Sequence, residues 1–330
     1  MNYKLLLIPC LLFILKSCKR DKIELNPKNH LSEFIKTKVQ KFDLDTLEFF
    51  EIKGENGTKI KFERRDFELS KNEKVTAKLI EIYDFNEILY NNINTITENG
   101  ELLESSGVIN IEFETKGKKL SLKDNSTLVI EFPKDILNKN KLFTAKLDNH
   151  NQFEWIEEKQ KDTLFSITIG GGLWHTKTIS KDSISHYKEI NLKATGFETI
   201  QEAWPTYNAI DKLNSIGIFK NLGWINVDRI IEPDSYKTFE LISNNQKVKN
   251  LSIYFVYENL NSFICDYRTI DSLKFNNLPI KNITTLSVIG EYENDLFVDN
   301  IILNEIKNKT KVKLNLQKKS KEEIKNILTK

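Results

Sequence analysis

Cysteine is scarce in this chain of 330 residues, with only Cys10, Cys18 and Cys265. So few leave no room for the multi-bridge framework of a disulfide-stapled fold. Long apolar runs are scarce too: residues 5–15, LLLIPCLLFIL, interrupted by Pro9, fall well short of the ~20 that a helix needs to cross hydrocarbon. An excess of charge is missing. The formal net charge is +2, and Lys4 and Lys16 account for it, so residues 18–330 are neutral and carry no global field to collect nucleic acid.

Signatures of catalysis are also missing. The four histidines, His30, His150, His175 and His186, form neither a His-x-His nor a His-Glu-x-x-His pair, the spacings that put two nitrogens on one metal. His175, Asp182 and His186 are near in sequence and are the weak remaining metal candidate; ordinary surface polarity explains them as well. No Gly-Lys-Ser/Thr follows the glycines 170–172, which read as a bend or bulge. There is no Gly-x-Ser-x-Gly elbow and no Cys-x-x-Cys. Adjacent acids such as Glu157-Glu158 and Glu322-Glu323 diverge on a strand or a helix, so neither pair supplies two converging carboxylates. No cofactor is expected.

What is present begins with an address. Lys4, the apolar run and a short cleavage region read as a signal peptide over residues 1–17, outside the fold proper. Leu15-Lys16-Ser17-Cys18 resembles a lipobox, with Lys16 departing from the usual small or apolar residue. That resemblance implies a diacylglycerol on the Cys18 thiol and a chain held by lipid in a bacterial envelope, in the outer membrane. The periplasmic and surface faces both stay open; the Lys19-Arg20-Asp21 start leans toward the periplasm. Cys265 is then left without a partner, in a strand-like run where a small buried residue fits. Residues 18–41 are polar and mixed in charge, and read as a tether.

From Phe42 the hydrophobic period is two. Ile60 and Phe62, then Ile109, Ile111 and Phe113, then Leu128, Ile130 and Phe132, alternate with polar neighbours. Glycine and asparagine turns separate them, with Gly57 and Gly100 suited to positive φ. The pattern returns with Leu251, Ile253, Phe255 and Tyr257, whose neighbours Ser252 and Tyr254 read as a wet face. Short alternating strands at this spacing predict a mostly β chain built as two antiparallel β-sandwich domains. The expected segments are 42–220 and 221–330. Ser320 and Glu323 form a capping box that predicts a short C-terminal helix over Ile324, Ile327 and Leu328. A second helix is expected near residues 199–213, limited by Pro205.

Several strings carry a resemblance. Gly54-Glu55-Asn56-Gly57-Thr58-Lys59-Ile60-Lys61-Phe62, the stretch Val75 to Asp84, and Asn99-Gly100 through Gly107 are similar to the N-terminal module of uncharacterised Bacteroidetes-type lipoproteins. Those modules resemble ZU5 domains, β-sandwiches of protein–protein contacts and structural stalks. Leu222-Gly223-Trp224-Ile225-Asn226-Val227-Asp228-Arg229 resembles the "LGWINxDR" string of the same group, with Val227 where those proteins often carry Cys. A physical reading puts Trp224 in a core and lets Asp228 and Arg229 tie a domain junction, with Gly223 and Asn226 beside them. The Phe275-x-x-Leu278-Pro279 corner resembles prealbumin-like modules of the carboxypeptidase regulatory type, which are non-catalytic. Asp45-Thr46-Leu47, Asp162-Thr163-Leu164, Asp182-Ser183-Ile184 and Asp271-Ser272-Leu273 resemble the O-glycosylation triplet of such secreted proteins.

These observations favour a non-catalytic lipoprotein with a structural or binding role, meeting other envelope proteins or glycans. The alternative is a polysaccharide-acting enzyme or carbohydrate-binding module whose site assembles from separate strands, with Trp174 and Trp204 as ligand-facing aromatics.

Overall fold

A computed structural model describes residues 23–44, 49–70, 73–124, 126, 128–133, 140–158, 165–166, 175–176, 216–243, 245 and 247–328. Strand accounts for 54% and helix for 10% of the described residues, so the fold is mostly β, as the two-residue period predicts. The first half contains β1 (Gln40–Leu44), β2 (Phe49–Lys53), β3 (Lys59–Glu63), β4 (Val75–Ile82), helix α1 (Phe85–Tyr90), β5 (Leu102–Thr115), β6 (Lys118–Lys119) and β7 (Leu128–Glu131). It continues with β8 (Lys141–Leu147), β9 (Phe153–Glu157), the small pair β10 (Phe165–Ser166) and β11 (His175–Thr176), β12 (Ile216–Phe219) and β13 (Gly223–Ile231). The second half contains β14 (Ser235–Ser243), β15 (Asn250–Tyr257), β16 (Phe263–Thr269), β17 (Lys274–Ile280), β18 (Thr284–Tyr292), β19 (Asp295–Ile302), β20 (Thr310–Leu314), β21 (Gln317–Lys319) and helix α2 (Lys321–Leu328).

Alternation in sequence becomes alternation in burial. The first sandwich faces a sheet ordered β1-β4-β5-β13-β8-β9 against one ordered β12-β7-β3-β2. Ile60, Phe62 and Ile130 from the smaller sheet meet Leu79, Ile111 and Phe113 from the larger. Phe62 and Phe113 pack edge-on at 4.6 Å. The second sandwich faces β17-β14-β20 against β16-β15-β18-β19-β21, with Phe239 stacked on Phe275 at 5.2 Å. One pairing departs from the antiparallel expectation: β20 runs parallel to β14, because the chain crosses between sheets after β19. At that crossing the Lys237 ammonium gathers three carbonyls, those of Leu303, Asn304 and Ile306, at 2.5, 3.0 and 2.6 Å.

The stretches 54–62, 75–84 and 99–107 converge on one place. The hairpin turn between β2 and β3 aims its Asn56 and Thr58 N–H groups at the Glu81 carboxylate, at 3.0 and 2.9 Å. Gln40 donates to the same carboxylate at 2.7 Å. A Cβ on Gly54 would lie 2.3 Å from a Glu81 oxygen, so only glycine leaves room for the capture. The Thr58 and Tyr83 hydroxyls lie 2.7 Å apart, and the Tyr83 ring fills the space over Gly107. Gly54, Thr58, Glu81, Tyr83 and Gly107 thus form one lock between a turn and the large sheet. Gly107 also adjoins the bulge that shifts the β5–β13 register between Val227 and Asp228.

A third apolar cluster joins the two sandwiches. Tyr254, Phe263, Cys265 and Ile289 from the second pack with Val108, Phe143 and Trp155 from the first. Alpha-helix α1 contributes Ile88 and Leu89, and α2 contributes Ile324 and Leu328. Ser320 and Glu323 cap α2 as the sequence predicts. Strand β15 is therefore dry on both faces, and its Ser252 and Tyr254 side, expected to be wet, is covered by the N-terminal segment and the junction cluster.

Two boundaries move. The expected polar tether over residues 18–41 is, where described, no tether: Leu31 is fully buried, Leu25, Phe34 and Ile35 pack on the same cluster, and β1 begins at Gln40. Asn29 ties it to α1, donating to the Tyr90 carbonyl at 2.9 Å. The division at 220/221 falls instead after Ile231, because β13 is a central strand of the first sandwich. The helix expected near 199–213 lies outside the described residues.

Leu31→Ala should cost about 2–4 kcal/mol, as truncating a buried leucine does. Denaturant unfolding checks this, and a cost near zero would restore the tether.

Candidate functional site at the junction face

The residues 92–98 turn away from α1 through Asn92, which takes the left-handed conformation at φ 56°. Helix α1 itself starts on Asp84, whose carboxylate accepts the Asn86 N–H at 2.8 Å. The segment then runs between two strands that would otherwise be bare edges. On one side, the Trp155 N–H of β9 donates to the Ile96 carbonyl and the Glu98 N–H to the Trp155 carbonyl, each at 3.1 Å. On the other, Thr95 donates its N–H to the Phe263 carbonyl of β16 at 3.0 Å, and its hydroxyl oxygen accepts the Phe263 N–H at 2.8 Å. Asn94 accepts the Cys265 N–H at 2.6 Å and donates to the Cys265 carbonyl at 3.2 Å. Gln152 also donates to that carbonyl, at 2.7 Å, and the Trp155 indole donates to the Asn94 carbonyl at 2.6 Å. Short amide and hydroxyl side chains here stand in for the backbone of a missing strand.

The LGWINVDR string lies on β13, facing this seam. Ile225 and Val227 point into the first sandwich core, and Trp224, Asn226 and Asp228 point outward. Gly223 opens the strand at φ 109°. Trp224 is half-buried and meets Phe153 edge-on at 5.3 Å; among the described residues the fully buried tryptophan is Trp155. Asn226 and Asp228 are fully buried. Ser105 on the neighbouring β5 donates its hydroxyl to the Asn226 Oδ1 at 3.1 Å, and the Asn226 amide donates to the Asp228 Oδ2. The Asp228 Oδ1 has no partner with hydrogen-bond geometry. Ser105 also donates its N–H to the Asn261 carbonyl of the second sandwich at 2.9 Å.

Asp228 and Arg229 do not tie the junction together. Adjacent strand residues face opposite ways, and Arg229 is exposed and paired with Glu104 across the strand. Burial pushes the Asp228 carboxyl up to about 7, and the polar groups of Ser105, Asn226 and Ser106 around it only partly offset this. Burial also raises the Cys265 thiol, which is then an inert core group.

Other sequence candidates fall apart spatially or lie elsewhere. Cys18, Trp174, Trp204, Asp182, His186 and the glycines 170–172 lie outside the described residues. Among the described residues, no three His, Cys, Asp or Glu side chains are grouped to hold a metal ion. A polar cleft of about 200 Å³ is lined by Lys38, Glu55, Glu81, Glu87 and Asn91 among others. Its Glu81 is already held by turn amides. Of the four glycosylation-like triplets, Asp271-Ser272-Leu273 is described, and Ser272 is exposed in the β16–β17 turn. The seam residues Asn94, Thr95, Gln152 and Trp155 went unnoticed in sequence. Their one signal is the cluster of short polar side chains at Asn91-Asn92-Ile93-Asn94-Thr95.

Two outcomes test the seam. Asn94→Ala leaves the Cys265 N–H buried without its acceptor and should cost about 1–3 kcal/mol in denaturant unfolding. For Asp228, the folded state binds a proton between about pH 4 and 7 that the unfolded chain, ordinarily near 3.8, does not. Its contribution is fully present below pH 4 and lost as pH rises to 7. His30 works the other way: burial lowers it to about 4 from 6.5, so its contribution is lost as pH falls from 6.5 to 4. Comparison with Asp228→Asn isolates the carboxyl. The variant should gain up to ~4 kcal/mol over wild type at pH 8, and nothing at pH 4. Parallel stability profiles for the two proteins would refute this.

No family model, curated protein or solved structure matches the chain at a significant level.

Proposed function

We propose that the chain is a lipoprotein of the bacterial cell envelope, anchored through acylated Cys18, whose braced pair of sandwiches has a structural or binding role and performs no catalysis. The observation that carries this reading is the leader itself. A positive residue, a short apolar run and a lipobox-like tetrapeptide lead up to Cys18. Several acyl chains anchor firmly, since each buried CH₂ contributes ~0.8 kcal/mol. The folded part suits a rigid presenter of surfaces to other envelope proteins or glycans: Asn94, Thr95 and Gln152 are spent on joining strands. The likeness to ZU5-type modules supports the same role.

Globomycin, which blocks lipoprotein signal cleavage, should accumulate the uncleaved precursor. Cys18→Ser should lose palmitate labelling and pass from the membrane to the soluble fraction. Unchanged processing and fractionation would sink the reading.

A further inference from the structure

The described N-terminal segment runs along the second sandwich. Leu25 packs on the junction cluster, and the Asn26 N–H donates to the Asn250 Oδ1 at 3.0 Å. The Ser252 hydroxyl donates to the Lys28 carbonyl at 2.9 Å, and the Lys28 ammonium pairs with Glu291. Only Lys19, Arg20, Asp21 and Lys22 separate Cys18 from Ile23. Five residue steps span at most ~18 Å when fully extended.

Register identifies the end of the sandwich to which this leash leads. Asn250 opens β15 opposite Thr269, and Leu251 faces Gly290, which faces Phe297. The approach to β15 (Lys247, Lys249), the β16–β17 turn (Asp271, Ser272) and the β18–β19 turn (Glu293, Asn294) therefore share one end. The other end of β15 leads to Asn261, which meets Ser105 of the first sandwich. The length of β15, about 23 Å, separates the two ends.

We propose that this turn cluster is a lipid-facing surface. Resting on the lipoprotein reading, the inference is that acyl chains on Cys18 hold residues 247–250 and 293–294 at the phospholipid headgroups. A leash this short cannot carry the body far from its anchor. Exposed Lys247 and Lys249 offer cations to headgroup phosphates, while Asp271 and Glu293 keep the surface mixed in charge.

The test uses the full acylated protein in vesicles of phosphatidylethanolamine and phosphatidylglycerol. Lys247→Cys and Glu258→Cys each receive a nitroxide; Cys18 is blocked by lipid and Cys265 is buried. A nickel-chelating headgroup lipid should relax the label at 247 several-fold more than the label at 258. A Gly/Ser insert of about eight residues after Lys22 should bring the two labels toward equality without loss of flotation. Equal relaxation in protein whose mass confirms acylation overturns this inference alone. A sugar on Ser272, standing between this end and the bilayer, also overturns it. An unmodified Cys18 overturns the lipoprotein reading and this inference with it.

Discussion

Every strand at the rim of a sheet presents unpaired N–H and C=O groups, and a stable protein must cover them. Here two such rims, β9 of the first sandwich and β16 of the second, are covered by the same few residues. Segment 92–98 is too irregular to be a strand, yet it satisfies backbone groups on both sides. It uses main chain toward β9 and mostly the Asn94 and Thr95 side chains toward β16. The rest of the junction depends on it. Trp155 is held against the Asn94 carbonyl, and the apolar cluster of Phe263, Cys265 and Val108 closes over the result.

The period-two rhythm made the fold legible, because it reports which face of a strand is dry. Ile60, Phe62, Ile111 and Phe113 sit where that rhythm placed them. It failed where a second body covers the outer face. Ser252 and Tyr254 on β15 read as solvent-facing, since a hydroxyl tolerates water; both are buried against a neighbour that no local pattern announces. The N-terminal segment failed for a related reason. Its apolar residues, Leu25, Leu31, Phe34 and Ile35, have no regular period, because irregular backbone follows the groove it fills.

The candidate site was half legible. The LGWINVDR string marked the right strand, and strand geometry alone separates Asp228 from Arg229 onto opposite faces. The identity of the carboxyl's neighbours was not readable, because Ser105 reaches Asn226 from 121 residues away. A buried carboxyl with one unpartnered oxygen is a costly thing for a junction to keep.

The shared rim has a consequence for how such a chain can evolve. Two sandwiches in tandem look like beads that recombination could cut apart and reuse. Here neither bead is finished: separating them would leave β16 without its cover and strip β15 of one dry face. The second half alone would expose β16 as a sticky strand margin and invite pairing with other copies. Selection must therefore treat the pair as one heritable unit, and a descendant that kept only one sandwich would first have to invent a new lid for it.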